Sequence, residues 1–262
     1  MEKRTDKNTY TVIFAIGMVL VVGALLAFLA STLNPMITEN ERLEKQKNIL
    51  YALGVNENEE NKAIFVSNEE TPKLFKDNIF NQVVIEAKDG KIIRVLSEDE
   101  YKEENNNEEP YLIDIKKEQN NAKDGEIRKL PLFLGKNEEG QTCYVVPIRG
   151  KGLWDAIWGY ISLDKNMIIH GVYFDHKGET PGLGANIKQR FFMDDFIGEH
   201  LMKDGVFKGV TIRKGNADPK NNDKTDNEVD AIAGATITGD GVTAMIKTDL
   251  KLYLSYFKNL KN

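Results

Sequence analysis

The stretch Asp230-Ala-Ile-Ala-Gly-Ala-Thr236 decides how the C-terminal half of this 262-residue chain is read. It brings a run of small residues up to a threonine hydroxyl. Directly after it, Val242, Met245, Ile246, Leu250, Tyr253 and Phe257 recur at helical spacing, which predicts a helix over residues 241–257. Thr238 or Asp240 is positioned to cap that helix. A hydroxyl held among small residues at a strand-to-helix turn lets a bulky phosphorylated group come close to the backbone. The same seven residues also fit a tight turn with no ligand, so the rest of the chain has to decide.

Upstream, short strands dominate. Residues 144–148, 156–163 and 167–174 read as strands, and residues 209–212 as a shorter one. Val83-Val84-Ile85 and Ile92-Ile93-Arg94-Val95 flank Asp89-Gly90, the signature of a hairpin. Residues 187–197 have helical spacing, with Phe191, Phe192 and Phe196 as expected core. Residues 97–124 are rich in Glu, Lys and Asn, a composition that buries little apolar surface, and read as a polar surface insertion. Irregular alternation of strands and helices, with a hairpin, predicts an α+β fold with a mainly antiparallel sheet and flanking helices.

The N-terminus bears on location. Residues 10–33 carry no charge and are mostly apolar. About 20 such residues cross a bilayer core, and a secretory signal has only about 7–15. An uncleaved single-pass anchor over residues 10–34 is expected, ended by Pro35. Thr38-x-x-Glu41 then reads as a capping box opening a second helix to about residue 53. Lys3, Arg4 and Lys7 lie closest to the anchor, so the positive-inside rule keeps residues 1–9 cytoplasmic and places the remainder outside. Net charge is −6 with both signs interspersed, which excludes a nucleic-acid footprint. The one cysteine, Cys143, has no disulfide partner and reads as a small buried strand residue.

Several loops are candidate binding elements. His176-Lys-Gly-Glu-Thr-Pro-Gly-Leu-Gly184 lies between a strand and a helix. Its glycines allow close approach to a flat ring, Glu179 and Thr180 offer an acceptor and a donor, and Leu183 an apolar cover. Gly150-Lys-Gly-Leu-Trp154 adds an aromatic face. Lys214, at a strand end, is a cation for phosphate or for an electron-rich ring edge. Each also has a bland reading as a turn, a half-buried Trp or a solvated Lys. The three histidines lack metal-ligand spacing, and no serine sits in a nucleophile elbow.

Together, Tyr144-Val-Val-Pro-Ile148, Gly150-Lys-Gly-Leu-Trp154, Gly159-Tyr160, Glu179-Thr-Pro-Gly-Leu-Gly184 and residues 230–238, behind one apolar helix, resemble the NqrC family, the C subunits of the Na+-translocating NADH:quinone reductases. The resemblance spans roughly residues 8–54 and 130–258. Residues 230–236 are similar to the Asp-x-x-Ser/Thr-Gly-Ala-Thr motif at which FMN is esterified to the final threonine. Ala233 departs from the Ser or Thr of that motif.

The resemblance implies an FMN-binding domain over residues 130–262, outside the bacterial cytoplasmic membrane. Residues 35–129 would form a membrane-proximal helix, hairpin and insertion. FMN would be bound covalently through Thr236, an acceptor and not a catalyst, with Gly234 and Ala235 beside it. Glu179, Thr180 and Leu183, then Trp154 and Lys214, are the expected cofactor contacts; no metal site is expected. A separate flavin transferase would install the group, and the chain would relay electrons among the other reductase subunits, with no complete active site of its own. The alternatives are the G-type subunit of the Rnf ferredoxin:NAD complex, which shares the flavin domain, and a flavin-free membrane-anchored scaffold.

Overall fold

A computed structural model describes residues 8–60, 62–215, 218 and 220–260. The chain divides into two units, Met1–Glu44 and Lys45–Asn262.

The described residues of the first unit are helical. Helix α1 (Asn8–Leu53) contains Pro35 in its interior, which corrects the expectation of a break there and a new cap at Thr38. A proline removes one backbone bond, but the flanking hydroxyls bond within the helix. Thr32 Oγ1 donates to Phe28 O at 2.9 Å, and Thr38 Oγ1 to Asn34 O at 3.0 Å. That is how a threonine behaves inside a helix and not at its cap. Apolar residues from Val12 to Ile37 are exposed, and the mean hydropathy reaches 3.0 over 18 residues. The helix is long and apolar enough to span a bilayer. Lys3, Arg4 and Lys7, on which the orientation argument rests, lie outside the described residues.

The second unit centres on a six-stranded antiparallel sheet. Its strands are β1 (Ile79–Lys88), β2 (Lys91–Ser97), β3 (Arg128–Lys136), β4 (Thr142–Lys151), β5 (Ala156–Leu163) and β6 (Ile169–His176), in the order β2-β1-β3-β4-β5-β6. The β1–β2 hairpin turns at Asp89-Gly90, with φ of 52° and 74°, the left-handed pair that a two-residue hairpin needs. Helix α2 (Thr71–Asn78) leads into β1. Helix α6 (Thr236–Asn259) covers one face: a Cβ on Gly150 would lie 2.8 Å from Met245 Cβ, and Tyr144 meets Phe257 edge-on. The last turn of α1 covers the other. A Cβ on Gly171 would lie 2.4 Å from Ala52 O, and one on Gly135 2.8 Å from Leu53 Cδ2. Gly135 pairs with Cys143, and Gly171 with Ser162, which pairs with Val145. Those β4 positions alternate with Tyr144 and Gly150, so the two helices sit on opposite faces.

Residues 97–124 are ordered, which corrects their reading as a bare polar insertion. Helix α3 (Glu98–Glu104) opens on a complete capping box between Ser97 and Glu100. Helix α4 (Ile115–Lys123) is capped by Asp114. Tyr101 and Ile113 bury themselves with Val84 and Leu96 in a small second core. Arg94 spans Glu86 and Glu104 at 2.7 and 2.6 Å. The composition rule misses these few apolar anchors because they are spread through charged sequence.

Other differences are local. Residues 187–197 form a short 3-10 turn, then α5 (Arg190–Met193), then another 3-10 turn. Phe192 and Phe196 are buried, but Phe191 is 60% exposed. The strand expected from Met167 begins at Ile169, because Met167 has φ of 63° in the preceding turn. Helix α6 starts five residues before the expected Gly241. Gly239 and Gly241 weaken the helical signal of its first turns. Two small pairs complete the unit: β7 (Met202–Lys203) with β8 (Val206–Phe207), and the parallel β9 (Thr211–Arg213) with β10 (Glu228–Asp230).

Candidate functional site

The quoted stretch leaves the small parallel pair and enters α6. Asp230 lies opposite Arg213 in the register, and Ala231 N donates to Arg213 O at 3.1 Å. The chain turns at Ala233-Gly234, closed by Ala235 N to Ile232 O at 3.1 Å. Gly234 has φ of 75°, and a Cβ there would stand 2.8 Å from Leu183 Cδ2. Glycine is required twice over, by the backbone and by the neighbouring leucine. Ala233 is exposed in this turn.

Thr236 is the first residue of α6 and is exposed. Its hydroxyl makes no hydrogen bond among the described residues. The capping position is Ala235, which has no side chain to cap with. The first N–H groups of this 24-residue helix therefore point outward unmet by any side-chain cap, with the positive end of the helix dipole behind them.

Thr238 turns inward. It is buried, and its Oγ1 donates to Glu179 Oε2 at 2.6 Å. Glu179 Oε1 accepts from Trp154 N at 2.9 Å, and Glu179 N donates to His176 Nδ1 at 3.2 Å. Burial pushes the Glu179 carboxyl up, but the bonds from Thr238 and from the backbone of Trp154, Leu153 and Asp155 outweigh it and hold it below its ordinary value. Two glycines make room: a Cβ on Gly152 or on Gly184 would lie 2.5 Å from a Glu179 oxygen. Trp154 Nε1 donates to Thr180 Oγ1 at 3.2 Å. The indole is 66% exposed and Leu183 40% exposed.

Trp154, Glu179, Thr180, Leu183, Gly234 and Ala235 thus come together around the start of α6. Among the described residues, Lys214 makes no side-chain hydrogen bond or ion pair with them. It is exposed just past β9, one residue beyond Arg213, which pairs with Glu228 at 2.6 Å. Thr238 is the residue that sequence reasoning assigns to a cap and the structure assigns to Glu179. Its signal was a second hydroxyl two positions after Thr236, visible only with the partner loop. A separate groove of about 660 Å³, bordered by Lys123, Arg149, Lys151, Trp154 and Thr248, does not include Thr236.

Residues 152–251 match the family model described as the FMN-binding domain. These 100 residues contain every residue of the site, from Trp154 to Thr238. The class of protein is therefore a flavin-domain protein with one apolar N-terminal helix. Similarity to individual proteins extends further along the chain. A curated relative from Pseudomonas aeruginosa, the C subunit of its Na(+)-translocating NADH-quinone reductase, is 28% identical over 92% of this chain and 90% of its own. The protein of the same name from Pasteurella multocida is 28% identical over 94% and 91%. The crystal structure of the corresponding protein from Parabacteroides distasonis superposes with a TM-score of 0.66 at 29% identity, over 86% of this chain and 96% of that one. NqrC of Shewanella oneidensis superposes with a TM-score of 0.63 at 25% identity, over 85% and 98%. Residues 152–251 thus carry an FMN-binding domain, and along most of its length the chain is similar to NqrC proteins of Na+-translocating NADH-quinone reductases.

Proposed function

We propose that this chain is an electron-relay subunit of a Na+-translocating NADH–quinone reductase, carrying FMN esterified through its phosphate to Thr236. The observation that carries the proposal is the exposed Thr236 hydroxyl, unengaged, at the uncapped N-terminus of α6. The residues present fit the group. A helix N-terminus receives phosphate through its free N–H groups and its dipole, and Ala233-Gly234-Ala235 leaves space for it. Leu183 and Trp154 present exposed apolar faces for a flat ring. Thr180 offers a hydroxyl to its polar edge, and Lys214, in the loop past β9, is the cation assigned to the flavin in this reading.

When bound, FMN accepts and returns electrons singly or in pairs. The residues named here contribute position, a partly apolar cover and electrostatics. The ester would be made by a flavin transferase from FAD: the Thr236 Oγ1–phosphorus bond forms, the pyrophosphate bond breaks, AMP leaves, and the hydroxyl proton is released. Thr236 is then an acceptor, and a tether keeps the flavin from being lost where none replaces it. The charges of Lys3, Arg4 and Lys7, by the positive-inside rule, support a domain on the periplasmic side of the cytoplasmic membrane. Electron donor and acceptor would be other subunits of the reductase.

The test is the intact mass of the denatured chain from its native host. The expected mass exceeds that of the bare chain by FMN less one water, and Thr236→Ala removes the increment together with in-gel flavin fluorescence. A bare mass beside an active transferase would reject the flavin assignment in favour of a scaffold. Co-purification with Rnf-type subunits instead of the reductase's would reject the complex.

A further inference from the structure

Helix α6 begins with few of the usual restraints. Its cap is Ala235, no side chain accepts from its first N–H groups, and Gly239 and Gly241 lower helix propensity just inside. One side-chain bond near its start ties it to the pocket loops, from Thr238 Oγ1 to Glu179 Oε2 at 2.6 Å. Thr238 is 2% exposed and Glu179 4% exposed. Glu179 in turn holds the Gly150–Trp154 loop through Trp154 N at 2.9 Å, and it belongs to the loop of Thr180 and Leu183. One buried carboxylate therefore joins three segments: the Trp154 loop, the Thr180–Leu183 loop and the first turn of α6.

The helix phase gives this contact a consequence. Two residues rotate a helix by about 200°, so a Thr238 side chain pinned inward turns Thr236 outward. We propose that Thr238 is a positioning residue: its bond to Glu179 fixes the rotation of the first turn of α6, so that the Thr236 hydroxyl faces out for modification beside the uncapped N-terminus. This rests on the attachment at Thr236 proposed above. It assigns Glu179 an indirect role, since the carboxylate oxygens are engaged by the protein's own donors. The surrounding packing agrees. A Cβ on Gly184 would lie 2.5 Å from both Thr238 Oγ1 and Glu179 Oε2, so the chain keeps this contact free of any other side chain.

The experiment follows covalent flavin per chain over time by intact mass, with the full-length protein exposed to FAD and its transferase. Thr238→Val keeps the shape and removes the donor, and attachment is expected to slow roughly tenfold, the weight of one hydrogen bond to a charged acceptor. Thr238→Ser restores the hydroxyl and nearly wild-type attachment, a rescue that packing alone would not give. Thr238→Ala is the second donorless variant, needed should the valine not fold, and must show the same slowing. Wild-type rates in both donorless variants would overturn the proposal. An unmodified wild type, or a modified Thr236→Ala, would instead overturn the attachment itself.

Discussion

At the scale of single residues, two buried carboxylates behave in opposite ways. Glu179 is surrounded by donors and is held below its ordinary value. Its folded pKa is depressed, so the stability it contributes is present above the unfolded carboxylate range and is lost as pH falls through the folded value. Glu179→Gln should therefore flatten the acid limb of a stability–pH curve measured by urea unfolding. Glu199 is fully buried, accepts from Asn221 Nδ2 at 3.0 Å, and leaves its Oε2 without a partner. Burial pushes it up to about 7, against the opposing pull of Asn221 and Lys224. A raised acid binds its proton more tightly folded than unfolded, so stability falls as pH rises from 4.5 towards about 7. Glu199→Gln should be more stable than wild type at pH 8, by up to about 3 kcal/mol at about 1.4 kcal/mol per pH unit. The difference should vanish near pH 4. An unchanged difference across that range would show that folding does not raise the Glu199 pKa. Gly184→Ala belongs to the same scale. Its Cβ would collide with Thr238 and Glu179 at 2.5 Å, and overpacking of this kind costs about 1–3 kcal/mol, readable in the same unfolding curves.

At the scale of elements, residues 97–124 make the sharpest test. A solvated insertion would tolerate any substitution within about 0.5 kcal/mol. Tyr101 is 1% exposed, packs in the second core and donates its hydroxyl to Glu108 at 2.8 Å. Tyr101→Ala should therefore cost about 3–5 kcal/mol, as buried aromatic truncations do, and the α3 amides should be protected in hydrogen exchange. The same segment shows where the sequence was legible. The hairpin was, because Asp89-Gly90 carries its turn chemistry in two adjacent residues. Strands β4 and β5 were, because their apolar runs are continuous, whereas β3, which joins β1 to β4 at the middle of the sheet, was not read as a strand. The small second core was not, because Tyr101, Ile113, Val84 and Leu96 meet only after folding. At the site, Thr236 and the Thr180–Leu183 loop were legible as local motifs. Thr238 was misread as a cap, because its partner lies 59 residues away. Pro35 misled for a related reason: its local rule is real, but a long apolar helix absorbs the loss of one bond.

At the scale of the whole molecule, the question is which side of the membrane holds the Lys45–Asn262 unit, and the chain's one cysteine makes it testable. Cys143 is fully buried, and burial pushes its thiol up. A buried, protonated thiol reacts poorly, since the thiolate is the nucleophile. The wild-type chain should thus stay unlabelled by a membrane-impermeant maleimide in intact cells, giving a silent background without any substitution. Glu139 is exposed in the turn between β3 and β4, so Glu139→Cys adds a reactive thiol far from the anchor in sequence. If the positive-inside reading of Lys3, Arg4 and Lys7 is right, Glu139→Cys in cells with a permeabilised outer membrane is labelled as fully as after complete lysis. Labelling only after lysis would put the domain in the cytoplasm and remove the argument for a tether that guards against flavin loss. That outcome would leave the geometry around Thr236 untouched, because the site lies wholly within the second unit, whereas the side of the membrane is set by charges at the far end of the first.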